Sequence, residues 1–275
     1  MQPVPQVWVE LEKRAADLVR QQTGSDLTGH ALRRLCSGSG VRMLSLGSGP
    51  GGIELALARE AAGAQITCLD LNPALVQLGQ ERAKEENLGV SFHVADINII
   101  ELPKHEYDIV LCHASLHHVS DLERVAAQIR GTLRNGGEFI TVDICTRNGY
   151  LMWPETRGIV GDIFKTLPAR FRLNHTAYAE PRVDEDIWEM DTSTVSMECI
   201  QSAAIIPVLS NVFQVRYFVP YFSICRRLLD TMYGPNYDVT RPMDRAILDW
   251  IWQLDRYYLE TEQLKPETFF GIYRP

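Results

Sequence analysis

The sequence predicts an α/β fold, a mostly parallel sheet with helices on both faces, extended by a helix-rich insert. Three observations carry this. Between residues 41 and 144, short apolar runs alternate with helical patterns, the rhythm of strand-helix-strand units. The first apolar run breaks into Gly47-Ser48-Gly49-Pro50-Gly51-Gly52, rich in the residue that tolerates positive φ and lets backbone approach a ligand. Two later runs stop at acids, Asp70 and Asp96, so polar groups collect at the strand ends where parallel sheets bind ligands.

Taken in order, residues 7–20 place Val7, Trp8, Leu11, Ala15, Leu18 and Val19 at helical spacing, and a second helical pattern runs over 27–35. Residues 1–40 therefore read as a helical cover over the sheet or its ligand. Strands are predicted over 41–46, 65–70, 90–95, 107–112 and 138–144, with helices over 53–59, 74–87 and 121–133 between them. Asn72-Pro73 marks the entry to the second of these helices, and Asn135-Gly136-Gly137 reads as a turn.

After residue 144 the alternation stops. Residues 145–211 are too long for a plain crossover and read as a helix-rich insert that builds a substrate cavity, with Ser193 or Thr194 capping a helix to about residue 208. Residues 212–219 have strand composition, 243–259 form a strong helical run, and 268–273 close the chain as an aromatic strand. The whole reads as one domain over 1–275, its ligand-binding core at 41–144.

Composition narrows the function. The net charge of −8 comes with scattered basic residues, which argues against a nucleic-acid partner and for a small-molecule substrate. No basic-then-apolar leader opens the chain and no apolar run approaches the roughly 18 residues of a membrane span, so a cytoplasmic protein without a membrane partner is expected. The six cysteines include no Cys-x-x-Cys pair, and they suggest reduced core residues instead of a zinc site or disulfides.

Taken together, Gly47, Gly49, Gly51, Asp70, Asp96 and the run Leu116-His117-His118-Val119 resemble the class I S-adenosylmethionine-dependent methyltransferases of the small-molecule type. The resemblance covers 41–144 well and the closing strand more loosely. It implies a Rossmann-like seven-stranded sheet whose last strand slots antiparallel into the edge. It also implies that Gly47, Ser48, Gly49 and Gly51 lie against the methionine part of the cofactor. Asp70 would accept from both ribose hydroxyls and Asp96 from the adenine amino group, with Leu71 and Ile97 sandwiching the ring, and His113 would stand near the sulfonium methyl.

One position departs from the family. An acid often stands two places before the first glycine, to meet the cofactor's ammonium; here that place is Ser45, and Glu54 is the alternative carboxylate. A nicotinamide dehydrogenase is the competing reading, because Gly47, Gly49 and Gly52 also satisfy G-x-G-x-x-G and Asp70 stands where a ribose-binding acid would. Asp96, the histidine run and the closing aromatic strand favour methyl transfer; a non-methylating reaction or plain binding on the same fold is the other alternative.

A sulfonium carries its own leaving group, so the protein mainly aligns an acceptor behind the methyl carbon and excludes water, with no metal demanded. The expected acceptor is a hydroxyl, with His117 as its general base and His175 as a second candidate. Tyr150, Trp153, Tyr178 and Trp188 would suit an apolar acceptor, and the acidic stretch 180–191 reads as a solvated loop.

Overall fold

The computed structural model describes residues 4–275. Two helices come first, α1 (Gln6–Thr23) and α2 (Leu27–Leu35). On α1 the buried residues Val7, Leu11, Ala15 and Val19 recur every four positions, one stripe facing the core, and Gly24 ends the helix at φ 82°. Asp26 caps α2 by accepting from the Gly29 N–H at 2.9 Å.

The core then alternates as predicted: β1 (Arg42–Leu46), α3 (Gly52–Glu60), β2 (Gln65–Asp70), α4 (Pro73–Glu85), β3 (Val90–Val94), β4 (Tyr107–His113), α5 (Leu122–Thr132) and β5 (Leu133–Ile144). Asn72 caps α4 with Pro73 at its first position, and Asp121 caps α5. The predicted Asn135-Gly136-Gly137 turn is a bulge inside β5. Across it the register with β4 jumps from Tyr107↔Leu133 to Ile109↔Glu138, and Gly136 takes φ 77°.

The insert carries α6 (Pro154–Thr166) and a small ribbon of β6 (Leu173–Asn174) with β7 (Arg182–Val183), then α7 (Ile205–Val212). The helix expected from residue 193 begins only at Ile205. Residues 184–201 hold no helix or strand, since the Asp191 carboxylate accepts from the Ser193 N–H and the Ser196 hydroxyl donates to the Thr192 carbonyl, local bonds that compete with a helix. The chain finishes with β8 (Gln214–Tyr221), α8 (Ile224–Leu229), α9 (Pro242–Glu260) and β9 (Thr268–Arg274).

Seven strands form one sheet in the order β3-β2-β1-β4-β5-β9-β8. The first five are parallel and β9 is antiparallel to β5, as expected of the last strand. Its place differs: β9 lies between β5 and β8, and β8 is the edge. The physical reason is burial, because β9 is covered over Thr268–Tyr273 whereas Gln214, Val215 and Arg216 of β8 are exposed.

Strand alternation sends side chains to two cores. Met43, Ile109 and Leu111 join the core under α1, α8 and α9, whereas Leu44, Leu46, Val110 and Cys112 face α5 and α7. All six cysteines are free, five of them buried. No helix among the described residues is long and apolar enough to cross a membrane.

Candidate active site

The glycine turn is built by β2. The N–H groups of Gly47 and Ser48 donate to the Leu69 carbonyl at 2.8 and 3.1 Å, and the Gly49 N–H donates to Asp70 Oδ2 at 2.7 Å. Asp70 Oδ1 accepts from the Asn72 N–H at 2.8 Å, so the acid is fixed beside the turn with lone pairs to spare. The Ala95 N–H donates to the Asp70 carbonyl at 2.9 Å and brings Asp96 to the neighbouring strand end. Asp96 Oδ1 holds its own turn through the Asn98 N–H and side chain at 2.9 and 3.1 Å.

The glycines do different work. A Cβ on Gly47 would lie 2.5 Å from Ser115 Cβ, and one on Gly51 would lie 2.3 Å from the Phe92 ring. Gly51 also spends its N–H on the Ser48 carbonyl at 3.1 Å, so it serves packing inside the turn. Gly49, at φ 54°, has open space where its Cβ would be, as does Gly52 at the start of α3. Gly47→Ala is therefore expected to cost about 2 kcal/mol or more of stability, read as a lower Tm. Gly49→Ala should keep most of the stability and lose affinity for what lies against the turn, measured by ligand titration.

Beneath the turn is a cavity of about 210 Å³ walled by Ser45, Ser48, Ile53, Glu54 and His113. The Ser45 hydroxyl donates to Glu54 Oε1 at 2.5 Å, and both residues are buried. Burial raises the Glu54 pKa, against the lowering pull of the Ser45 hydrogen bond. Glu54 of α3 thus places a carboxyl group directly beside Ser45. At the other end of the turn, Leu71 is 66% exposed on the surface and Ile97 is half-buried, the two apolar groups expected to face one ring.

A second cavity of about 410 Å³ shares Ile53 and His113 with the first. Its roof is Trp8 and Glu12 of α1 with Leu27 and Thr28 of α2, and its far walls are Tyr221, Phe222, Arg226 and Phe270. No residue of 145–211 lines it. Two of the insert's aromatics are engaged elsewhere, the Tyr178 hydroxyl donating to Asp184 at 2.9 Å and the Trp153 ring lying under Lys265, and the Trp188 backbone N–H donates to the Tyr233 hydroxyl at 3.1 Å. Tyr150 stands behind the wall, accepting from Arg226 at 3.2 Å.

His113 ends β4 and opens onto both cavities, and burial lowers its pKa despite the raising influence of Glu12 and Asp143. The next residue, Ala114, takes φ 52°, a left-handed conformation that a non-glycine residue adopts rarely and mostly at functional turns. His117 lines neither cavity. Asp143 captures its Nδ1 at 2.6 Å, and Asp143 is itself held by the N–H groups of Ser115 and Leu116 at 2.9 and 2.7 Å. His175 pairs with Asn236 at 2.8 Å and is likewise absent from the cavity walls.

Two cavity residues escaped the sequence reading, although each leaves a signal. Glu12 sits four residues from Trp8 and from Ala16, a carboxylate on the inner face of α1. Arg226 and Arg227 interrupt the apolar run 222–229 and are both buried.

Residues 37–218 match the family model described as "Methyltransferase domain". The chain belongs to the class I S-adenosylmethionine-dependent methyltransferases. Over 99 residues it is 28% identical to a ubiquinone biosynthesis O-methyltransferase of Coxiella burnetii, covering 36% of this chain and 42% of that protein. The chain thus matches about two fifths of the length of that curated relative. An S-adenosylmethionine-dependent methyltransferase from Mesorhizobium loti shares the fold at a TM-score of 0.52 and 18% identity, over 90% of this chain and 96% of that one. The [4+2]-cyclase SpnF does so at 0.51 and 17%, over 90% and 80%.

The site fits the cofactor of this methyltransferase family. Buried Glu54 faces a cavity sized for an amino-acid end, Gly49 leaves space at the turn, and Asp70 keeps acceptor capacity beside it. Exposed Leu71 offers an apolar surface next to that acid.

Proposed function

We propose that this chain transfers a methyl group from S-adenosylmethionine to the hydroxyl of a small molecule held under α1 and α2. The observation that carries the reading is the meeting of two cavities at His113 and Ile53, one beneath the glycine turn and one closed by the N-terminal helices. Gly47, Ser48 and Gly49 would hold the methionine part with Glu54 on its ammonium, Asp70 the ribose, and Asp96, Leu71 and Ile97 the adenine. When bound, the cofactor supplies an electrophilic methyl on a good leaving group.

The protein's own residues align and desolvate the acceptor. Trp8, Leu27, Phe222 and Phe270 offer an apolar body to pack against, and Arg226 a cationic point. The Arg226 guanidinium donates to Thr268 Oγ1 at 2.9 Å and to the Tyr150 hydroxyl at 3.2 Å, and it keeps further N–H donors. An aromatic or other apolar acceptor with an acidic or carbonyl group near its hydroxyl suits these walls. His113 takes the base role in place of His117: its ring, kept neutral by burial, accepts the hydroxyl proton as the carbon–oxygen bond forms.

Calorimetric titration with S-adenosylmethionine and with NAD, followed by labelled-methyl transfer to a panel of phenols and hydroxy acids, tests the reading. Binding of S-adenosylmethionine and a labelled ether product are expected. Binding of NAD alone, or label transferred only to nitrogen or carbon, overturns the corresponding part.

A further inference from the structure

The turn after β4 and the end of the insert's irregular segment bring three metal-binding side chains together outside both cavities. One donor atom from each of His117, His118 and Glu198 lies within 4.8 Å of the other two. His117 Nε2 stands 3.4 Å from Glu198 Oε1, close to the roughly 3.3–3.5 Å between ligands on a tetrahedral ion with arms of ~2.0–2.2 Å. We propose that His117, His118 and Glu198 form a divalent metal site of the zinc class that clamps the insert onto the cofactor-binding core.

Each ligand is prepared for the role. Asp143 Oδ1 lies 2.6 Å from His117 Nδ1, which places the ring proton on Nδ1 and turns the Nε2 lone pair toward Glu198. This carboxylate behind the imidazole is the arrangement that orients metal-ligating histidines. Asp143 cannot drift, because the N–H groups of Ser115, Leu116 and Ile144 hold it at 2.7 to 2.9 Å. His118 Nδ1 stands 3.7 Å from Glu198 Oε2 and 3.0 Å from the Met197 carbonyl, and it takes a metal by giving up that carbonyl.

Charge points the same way. Asp143, fully buried, and Glu198 both converge on one imidazole, and a divalent cation there balances two carboxylates at once. Two imidazoles and one carboxylate suit zinc or a neighbouring transition ion; magnesium and calcium prefer an all-oxygen shell. The side chains of His118 and Glu198 are 44% and 36% exposed, so an ion enters from solvent and a water completes the fourth position.

The clamp has a purpose in the fold. Residues 184–201 lack helix and strand, and near the site they are tied to the core by the Ile200 N–H on the His117 carbonyl at 3.1 Å, the Gln201 side chain on the Ser120 carbonyl at 2.6 Å and the Met197 carbonyl beside His118 Nδ1 at 3.0 Å. An ion on Glu198 adds a coordinate bond to those contacts, in a region with no regular hydrogen-bond ladder.

The test uses the full chain stripped with a chelator and titrated with Zn²⁺ by calorimetry and with Co²⁺ by visible absorption. A single ion, the d–d bands of a tetrahedral cobalt site and a Tm raised by Zn²⁺ are expected. His118→Ala and Glu198→Gln, at half-exposed positions that spare the fold, should each weaken Zn²⁺ binding about 100-fold and abolish the Tm increase. Wild-type protein that binds neither ion, or variants that bind as tightly as wild type, overturns the site.

Discussion

Asp70→Ala is expected to weaken S-adenosylmethionine binding about 100-fold or more while the circular dichroism spectrum stays unchanged. Hydrogen bonds to a charged group contribute about 1.5–3 kcal/mol each, and two to the ribose hydroxyls total at least about 3 kcal/mol, which is two orders of magnitude in Kd. The substitution also releases the Gly49 N–H, now held at 2.7 Å, so the turn loses its brace beside the ligand. Stability should barely change, because Asp70 is only half-buried at the end of β2. Calorimetry decides it: an unchanged Kd removes Asp70 from the cofactor site.

His113→Ala is expected to lower kcat on an identified hydroxyl acceptor by about 10²–10⁴-fold, the usual range for a lost general base. The pH profile separates this from a packing defect. Desolvation by the surrounding cavity walls lowers the pKa of His113 from the ~6.5 of a free imidazole, against the opposing pull of Glu12 from α1 and Asp143 from β5. The base must be unprotonated to accept the hydroxyl proton, so wild-type kcat/KM rises with pH on the acid side and levels off before about pH 6.5. The variant should lose that limb. The same shift has a stability consequence: below ~6.5 the unfolded chain binds a proton that the folded chain resists, so His113 lowers stability as pH falls through that range and costs nothing above it. A variant that keeps full turnover and the acid limb removes His113 from the base role.

The elements that the sequence disclosed are the ones built from near neighbours. A strand, a glycine turn and a helix are local decisions, set by alternation, by φ and by caps, and Gly47, Asp70, Asp96 and His113 follow from them because parallel strands deliver their last residues to one end. Glu54 was legible as a candidate for the same reason, since α3 begins right after the turn.

What only the tertiary structure decided are pairings between distant segments. His117 lies in a histidine run at the right strand end, yet Asp143, 26 residues away, takes its ring and turns it from the cavity. The larger cavity is closed by α1 and α2 and not by residues 145–211, because packing of Trp8 against Phe222 brings α1 onto the start of α8. Arg226 became a cavity wall by the same docking, and β9 took the protected position between β5 and β8. Periodicity reports which side of an element is apolar, but not which other element covers it. The family and the proposed cofactor site were thus written in local pattern, whereas the proposed acceptor site is a product of packing.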